Sequence, residues 1–258
     1  MGSSQQILSS LGATVPPGPE PTDLANLELW LPVSALSGSD GDPITTWLDQ
    51  SGNARNATGT GSAKPLYKTT GGPTNGPRVL FGDTGGANLR NFTLPNFLTG
   101  FTSGEGIAVL KIDTDPATSP GAGPPFGNWG SATTGSLYNF SGDSKIYEEF
   151  GTNARKTTND PVTNLTTWHV YDVRSASASF IWSINGATST NDFFSTGTNT
   201  VGWGTAPLIG ADANDSRTLL GSMVELIFYS RVLDQATERG PVVYTYLNNT
   251  YGFSLPTS

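Results

Sequence analysis

Two adjacent glutamates, Glu148 and Glu149, the single histidine His169, and the acidic run Asp212-Ala-Asn-Asp215 are the residues of this 258-residue chain that could carry acid–base or metal chemistry. Retaining glycoside hydrolysis needs two carboxyls about 5–5.5 Å apart on one face. Glu148 and Glu149 are sequence neighbours, so on a strand they point to opposite faces and make poor partners. One histidine excludes a multi-histidine metal site, and any Ser-His-Asp triad would have to use it. His169 lies between Trp168 and Val170, and no nucleophile-elbow sequence occurs anywhere, so it reads as structural. There is no P-loop or dinucleotide fingerprint; Gly121–Gly127 puts prolines where a helix would have to start. No enzymatic activity is expected.

Asp83, Asp212, Asn214 and Asp215 could supply oxygen ligands to Ca²⁺, with Asp212 and Asp215 the candidate metal pair. Calcium takes about 6–8 oxygens, and Asp and Asn are also default turn residues. No other cofactor is indicated. The six tryptophans divide by context. Trp30, Trp47, Trp168 and Trp182 fall on expected strands and read as core. Trp129, after Asn128 and before Gly130, and Trp203, between Gly202 and Gly204, sit in expected loops. Each either plugs an end of the fold or offers a flat face to sugar C–H groups, with Asn128 placed to bind hydroxyls. Phe193-Phe194 likewise either plugs an end of the fold or makes a subunit contact.

The elements that must position these residues are short strands. In Met223–Tyr229, Val224, Leu226 and Phe228 point one way, and Met223, Glu225, Ile227 and Tyr229 the other, the period of a strand with one well-buried face. Asp234 can cap a following helix, and Gly252 suits its end. Pro241 cannot donate a hydrogen bond, so we expect a short turn after Asp234 and a restart with Pro241 near a helix N-terminus. Leu27–Leu31, Ile44–Trp47, Arg78–Phe81 and Glu105–Ile112 read as strands. Leu137–Phe140 with Lys145–Phe150, and Trp168–Arg174 with Ser179–Ile184, read as hairpins. Many short strands, frequent turns and one terminal helix predict an all-β, two-sheet antiparallel sandwich.

With 32 Gly and 18 Pro but also 6 Trp, 8 Tyr and 12 Phe, the chain is turn-rich yet has the aromatics for a core. A net charge of −8 argues against nucleic acid as a partner. No stretch approaches the roughly 20 apolar residues of a membrane span, so no membrane insertion is expected. Cysteine is absent, which excludes disulfides and thiolate chemistry. Met1–Leu8 lacks the basic and long apolar regions of a secretory signal, which implies a mature chain or another route of release. Residues 1–26 read as an N-terminal arm: Ile7, Leu8 and Leu11 form an apolar cluster able to anchor on a partner, and Val15–Pro21 is an extended, Pro-rich spacer. Residues 27–252 are the folded body and 253–258 a tail.

Several stretches, in order, resemble concanavalin A-like (laminin G-like, pentraxin-like) jelly-roll domains. Leu27-Glu-Leu-Trp-Leu31 followed by Thr46–Ala57, with its Asp49-Gln-Ser-Gly-Asn53, is similar to the family's opening. Val79–Asp83 resembles the next strand, Thr167–Val173 with Ile184-Asn-Gly186 a central hairpin, and Gly221–Gly252 the ending. The resemblance implies a jelly roll whose first and last strands lie near each other, a structural role for Glu225, and rim loops that hold Ca²⁺ in many relatives. The acidic Glu-x-Asp-x-x-Glu motif of glycoside hydrolases on this sandwich is missing. Ile146–Gly151 with Arg155 resembles laminin G-like domains of tailed-phage virion proteins. The expected function is therefore a non-enzymatic bacteriophage virion protein, a head decoration, fibre or spike component. It would assemble in the host cytoplasm with other virion proteins and with copies of itself, and its sandwich would project toward host-surface polysaccharide. The alternatives are an extracellular, secreted carbohydrate-binding module or lectin and, behind that, a glycoside hydrolase.

Overall fold

The computed structural model describes residues 18–60, 64–82, 90–117, 122–212 and 217–258. Ile7, Leu8, Leu11, Asp83, Asn214 and Asp215 lie outside them. The described chain is an all-β sandwich closed by one C-terminal helix. Its larger sheet has eight strands, with Ser103–Ile112 and Gly221–Tyr229 paired antiparallel at the centre. His169–Ala176, Ser179–Ile184 and Phe193–Thr196 extend it on one side, Arg78–Leu80 and Leu66–Lys68 on the other. A five-stranded sheet faces it, in the order Thr46–Trp47, Ala57–Thr60, Asn91–Thr93, Leu208–Ile209, Phe126–Gly127. Leu27–Pro32 pairs with Gly221–Tyr229, so the first and last strands are joined as expected.

The core between the sheets is aromatic. Phe228 from the last strand meets Trp129, Phe150 and Trp203, while Phe126 stacks its edges on Trp129 and Phe150 at centroid distances of 5.2 and 5.1 Å. The opening motif is a latch. The Asp49 carboxylate accepts the backbone N–H groups of Trp30, Ser51 and Arg55, at 3.0, 2.9 and 2.9 Å, and the Asn53 amide donates to the carbonyls of Leu27 and Glu28. Sequence-distant loop and strand are thereby fixed by two side chains.

Three expectations need correction. Gly221–Tyr229 is buried on both faces, not one, because the C-terminal helix covers the outer side. There Glu225 accepts hydrogen bonds from Trp30, Tyr246 and Tyr251, and the Arg239 guanidinium is paired with Glu105 and Asp172. Pro241 does not force a restart. Asp234 caps the helix through Ala236 and Thr237 as expected, but Gln235–Tyr244 is wound with the wider π turn, which runs past Pro241 into the α-helical Thr245–Tyr251. Gly252 ends it at φ +73°. Finally, residues 18–26 pack on the sandwich: Pro21 is buried, and its carbonyl accepts the Tyr229 hydroxyl at 2.9 Å.

Candidate functional site

The strands Phe126–Gly127 and Leu208–Ile209 pair antiparallel, and just beyond that pairing the chain opens a recess of about 280 Å³. Asn128, Gly130 and Ser131 line one wall; Trp203, Gly204 and Thr205 line the other. The walls are stitched by backbone bonds, Gly204 N–H to the Trp129 carbonyl at 3.1 Å and Ser131 N–H to the Gly202 carbonyl at 3.0 Å. The crossing is tight enough to demand glycine: a Cβ at Gly204 would come within 2.0 Å of the Asn128 carbonyl oxygen.

Trp203 is half-buried. Its Cζ2–Cη2 edge enters a slot against Gly104 and Gly151, where a Cβ would lie 2.7 and 2.6 Å from the ring, and Phe101, Phe150 and Phe228 meet it edge-on. Its buried indole N–H has no acceptor among the described residues, so packing alone holds the ring. Asn128, at φ +58°, is also half-buried, while Ser131 and Thr205 are exposed. Among the described residues no hydrogen bond uses the Asn128 amide or the Ser131 and Thr205 hydroxyls. The result is an aromatic ring beside three uncommitted, uncharged polar groups.

Trp129 does not belong to the recess surface. It is fully buried, stacks on Phe150 at 5.7 Å and 18°, and donates its indole N–H to the Leu208 carbonyl at 2.9 Å. With no face open to solvent it cannot stack on a sugar, which corrects its reading as a sugar-binding residue. The structure brings Asn128 and Trp203 together and adds Ser131 and Thr205, which the sequence reading missed. The signal for them was the pair of segments Asn128-Trp-Gly130 and Gly202-Trp-Gly204, whose glycines allow the walls to cross.

The acids are placed for structure. Glu148 is buried and accepts from the Tyr171 hydroxyl at 2.8 Å and from the N–H groups of Glu149 and Phe150 at 2.9 and 3.0 Å. Loss of hydration pushes its carboxyl up to about 7 despite those donors. Glu149 turns the other way, accepting the Thr134 N–H at 3.1 Å; burial first, then the nearby Asp212 charge, raise its pKa. His169 is buried and stays neutral, its pKa lowered to about 4 by burial. Its Nδ1 faces the Thr167 carbonyl at 2.9 Å and its Nε2 the Tyr138 hydroxyl at 2.7 Å. Asp212 is buried with its carboxylate on the Ser136 N–H at 2.8 Å. Among the described residues no three His, Cys, Asp or Glu side chains gather as a metal site.

No protein-family profile and no curated protein sequence matches the chain. Solved structures do match. Domain 4 of AbnA, a GH43 extracellular arabinanase from Geobacillus stearothermophilus, solved in complex with arabinotriose, aligns over 81% of this chain and 94% of that one, at 15% identity and a TM-score of 0.57. The binding domain of Paraclostridial Mosquitocidal Protein 1 aligns over 83% of this chain at 12% identity and a TM-score of 0.50, and the aligned chain spans half of that structure. At these identities the likeness establishes the shared β-sandwich fold.

Proposed function

We propose that this protein is a non-catalytic, glycan-binding β-sandwich whose site is the recess between residues 128–132 and 203–206. The observation that carries the reading is the partly buried Trp203 lining the recess beside the uncommitted Asn128 amide and the Ser131 and Thr205 hydroxyls. An aromatic surface with a few oriented polar groups is the chemistry that sugar recognition uses. The arabinotriose held by the structurally similar arabinanase domain supports the same reading. Hydrolysis is disfavoured because Glu148 and Glu149 are buried and hold different partners. The test is binding to a glycan array by the full chain and by Trp203→Ala. Wild-type binding that weakens at least tenfold in the variant is expected; a folded, glycan-silent wild-type protein would refute the reading.

We further propose that the sandwich is displayed on a tailed-phage virion, held by the arm that carries Ile7, Leu8 and Leu11. This rests on the Pro-rich spacer Val15–Pro21 and on the laminin G-like resemblance. Particle purification tests it: the protein should be recovered stoichiometrically, and deletion of residues 1–17 should release it. Absence from particles would refute it.

A further inference from the structure

We infer that the recess selects a neutral sugar residue and discriminates against acidic ones such as uronate or sialate. The inference rests on the glycan-binding reading above and adds the chemical class of the ligand. Its basis is the character of the walls. Among the described residues no Lys, Arg, His, Asp or Glu lines the recess; every lining side chain is an amide, a hydroxyl, an indole or a methyl, or is a glycine. A carboxylate bound there would lose hydration with no cation to replace it, and an unpaired charge taken out of water is costly. Recognition of a carboxylate normally supplies the paired donors of an Arg, and none is present on these walls. The chain's net charge of −8 adds long-range repulsion of polyanions at low salt.

A neutral sugar is served by what is there. Its C–H face packs on Trp203, and its hydroxyls, which both donate and accept, match groups that do the same: the Asn128 amide and the Ser131 and Thr205 hydroxyls. The volume of about 280 Å³ falls just below the ~300–1,000 Å³ typical of small-molecule sites. It suits one sugar ring and part of a neighbour, so a short neutral oligosaccharide or a chain end is the ligand class.

The experiment titrates the full chain at pH 7 with arabinotriose and cellotriose, and with trigalacturonate and 3′-sialyllactose, in 0.05 and 0.5 M salt. At least one neutral trisaccharide should bind at least tenfold more tightly than either acidic one. That is about 1.4 kcal/mol. The neutral affinity should hardly change with salt. Trp203→Ala should remove binding. Because that variant also opens a packing slot, Ala206→Trp, which fills the recess from an exposed position, should remove binding with the core intact. Ala132→Lys, which puts a cation on the wall, should shift the acidic-to-neutral affinity ratio severalfold toward trigalacturonate; an unchanged ratio would overturn the inference. Tighter wild-type binding of an acidic sugar, lost in Ala206→Trp, would overturn the neutral selectivity while leaving glycan binding in place. Neutral binding that survives Ala206→Trp would overturn the location. Failure to bind these four probes overturns the inference, and silence on a full array as well would overturn the parent reading.

Discussion

The fold should be more stable in mild acid than in mild base, in large part through two buried glutamates, with Glu105 and Glu149 shifted in the same direction. Glu148 and Glu225 are both buried, and in each case loss of hydration pushes the carboxyl from an ordinary 4.5 up to about 7. Between those values the folded state holds protons that the unfolded chain has released, so stability falls as pH rises through this window. It is fully present below about 4.5 and lost above about 7. One pKa unit corresponds to about 1.4 kcal/mol, so each glutamate contributes ~3 kcal/mol and the two together ~6 kcal/mol. His169 works the opposite way. Burial lowers its pKa from 6.5 to about 4, so its contribution is present above 6.5 and is lost toward pH 4, by ~3 kcal/mol in all. From pH 8 down to about 6.5 the glutamates act nearly alone. From 6.5 to 4.5 one glutamate's slope is cancelled by the histidine, leaving a net gain of ~3–4 kcal/mol across the whole range. Urea unfolding at half-unit intervals from pH 4.5 to 8 measures this directly. Glu225→Gln keeps a hydrogen-bonding side chain among Trp30, Tyr246 and Tyr251 and removes the charge. It should match wild type near pH 5, exceed it by up to ~3 kcal/mol at pH 8, and halve the slope between 6.5 and 8. A wild-type protein more stable at pH 8 than at 5, or a Glu225→Gln variant with an unchanged slope, would refute the reasoning.

Three further outcomes follow from packing and pairing, each read from urea midpoints. Trp129→Ala should cost ~3–5 kcal/mol, because it empties the centre of the aromatic core and orphans the Leu208 carbonyl. Arg239→Met should cost ~3–5 kcal/mol by leaving Glu105 buried without its cation and Asp172 with Arg174 alone. A loss under 1 kcal/mol would mean those acids take up protons or water instead. Asp49→Ala should cost ~1–3 kcal/mol, since the N–H groups of Trp30, Ser51 and Arg55 lose a common acceptor.

Much of this fold was legible because its signals are local. The strands over Met223–Tyr229 and Glu105–Ile112, the cap at Asp234, the αL glycine at 252 and the two hairpins all appear where local residue types place them. What escaped was whatever depends on a second layer. Period two says that a strand has two faces; it cannot say that a helix will cover the outer one, so the burial of Glu225 was hidden. Pro241 argues against a regular α-helix, and the wider π turn that holds it is a rare winding that local residue types do not announce. At the site, Trp129 and Trp203 have nearly the same flanks, yet one is fully buried and the other partly open to the recess. The difference lies in what each meets across the sandwich: the Leu208 carbonyl takes the indole of Trp129, whereas the bare backbone at Gly104 and Gly151 admits only the edge of Trp203.

The distribution of charge ties the candidate site to the architecture. On the outer face of the larger sheet, Glu105, Asp172, Arg174 and Arg239 form one buried network, with the Tyr244 hydroxyl on Asp172 at 2.8 Å and the Arg174 Nε on Asp172 at 3.0 Å. Glu225 is held by three aromatic donors beside it. These ionisable groups fasten the C-terminal helix to the sheet, and a network of this kind is costly to disturb because each member is satisfied by the others. The recess is built differently. It lies where two strands of the five-stranded sheet part, and among the described residues its walls carry no ionisable side chain. A site made in this way is insensitive to the titrations that govern stability: Glu148, Glu225 and His169 change charge between pH 4 and 7 without lining it. Affinity for a neutral sugar should therefore stay constant across a pH range in which the unfolding free energy moves by several kcal/mol, and that separation of the two profiles is what this division of polar groups implies.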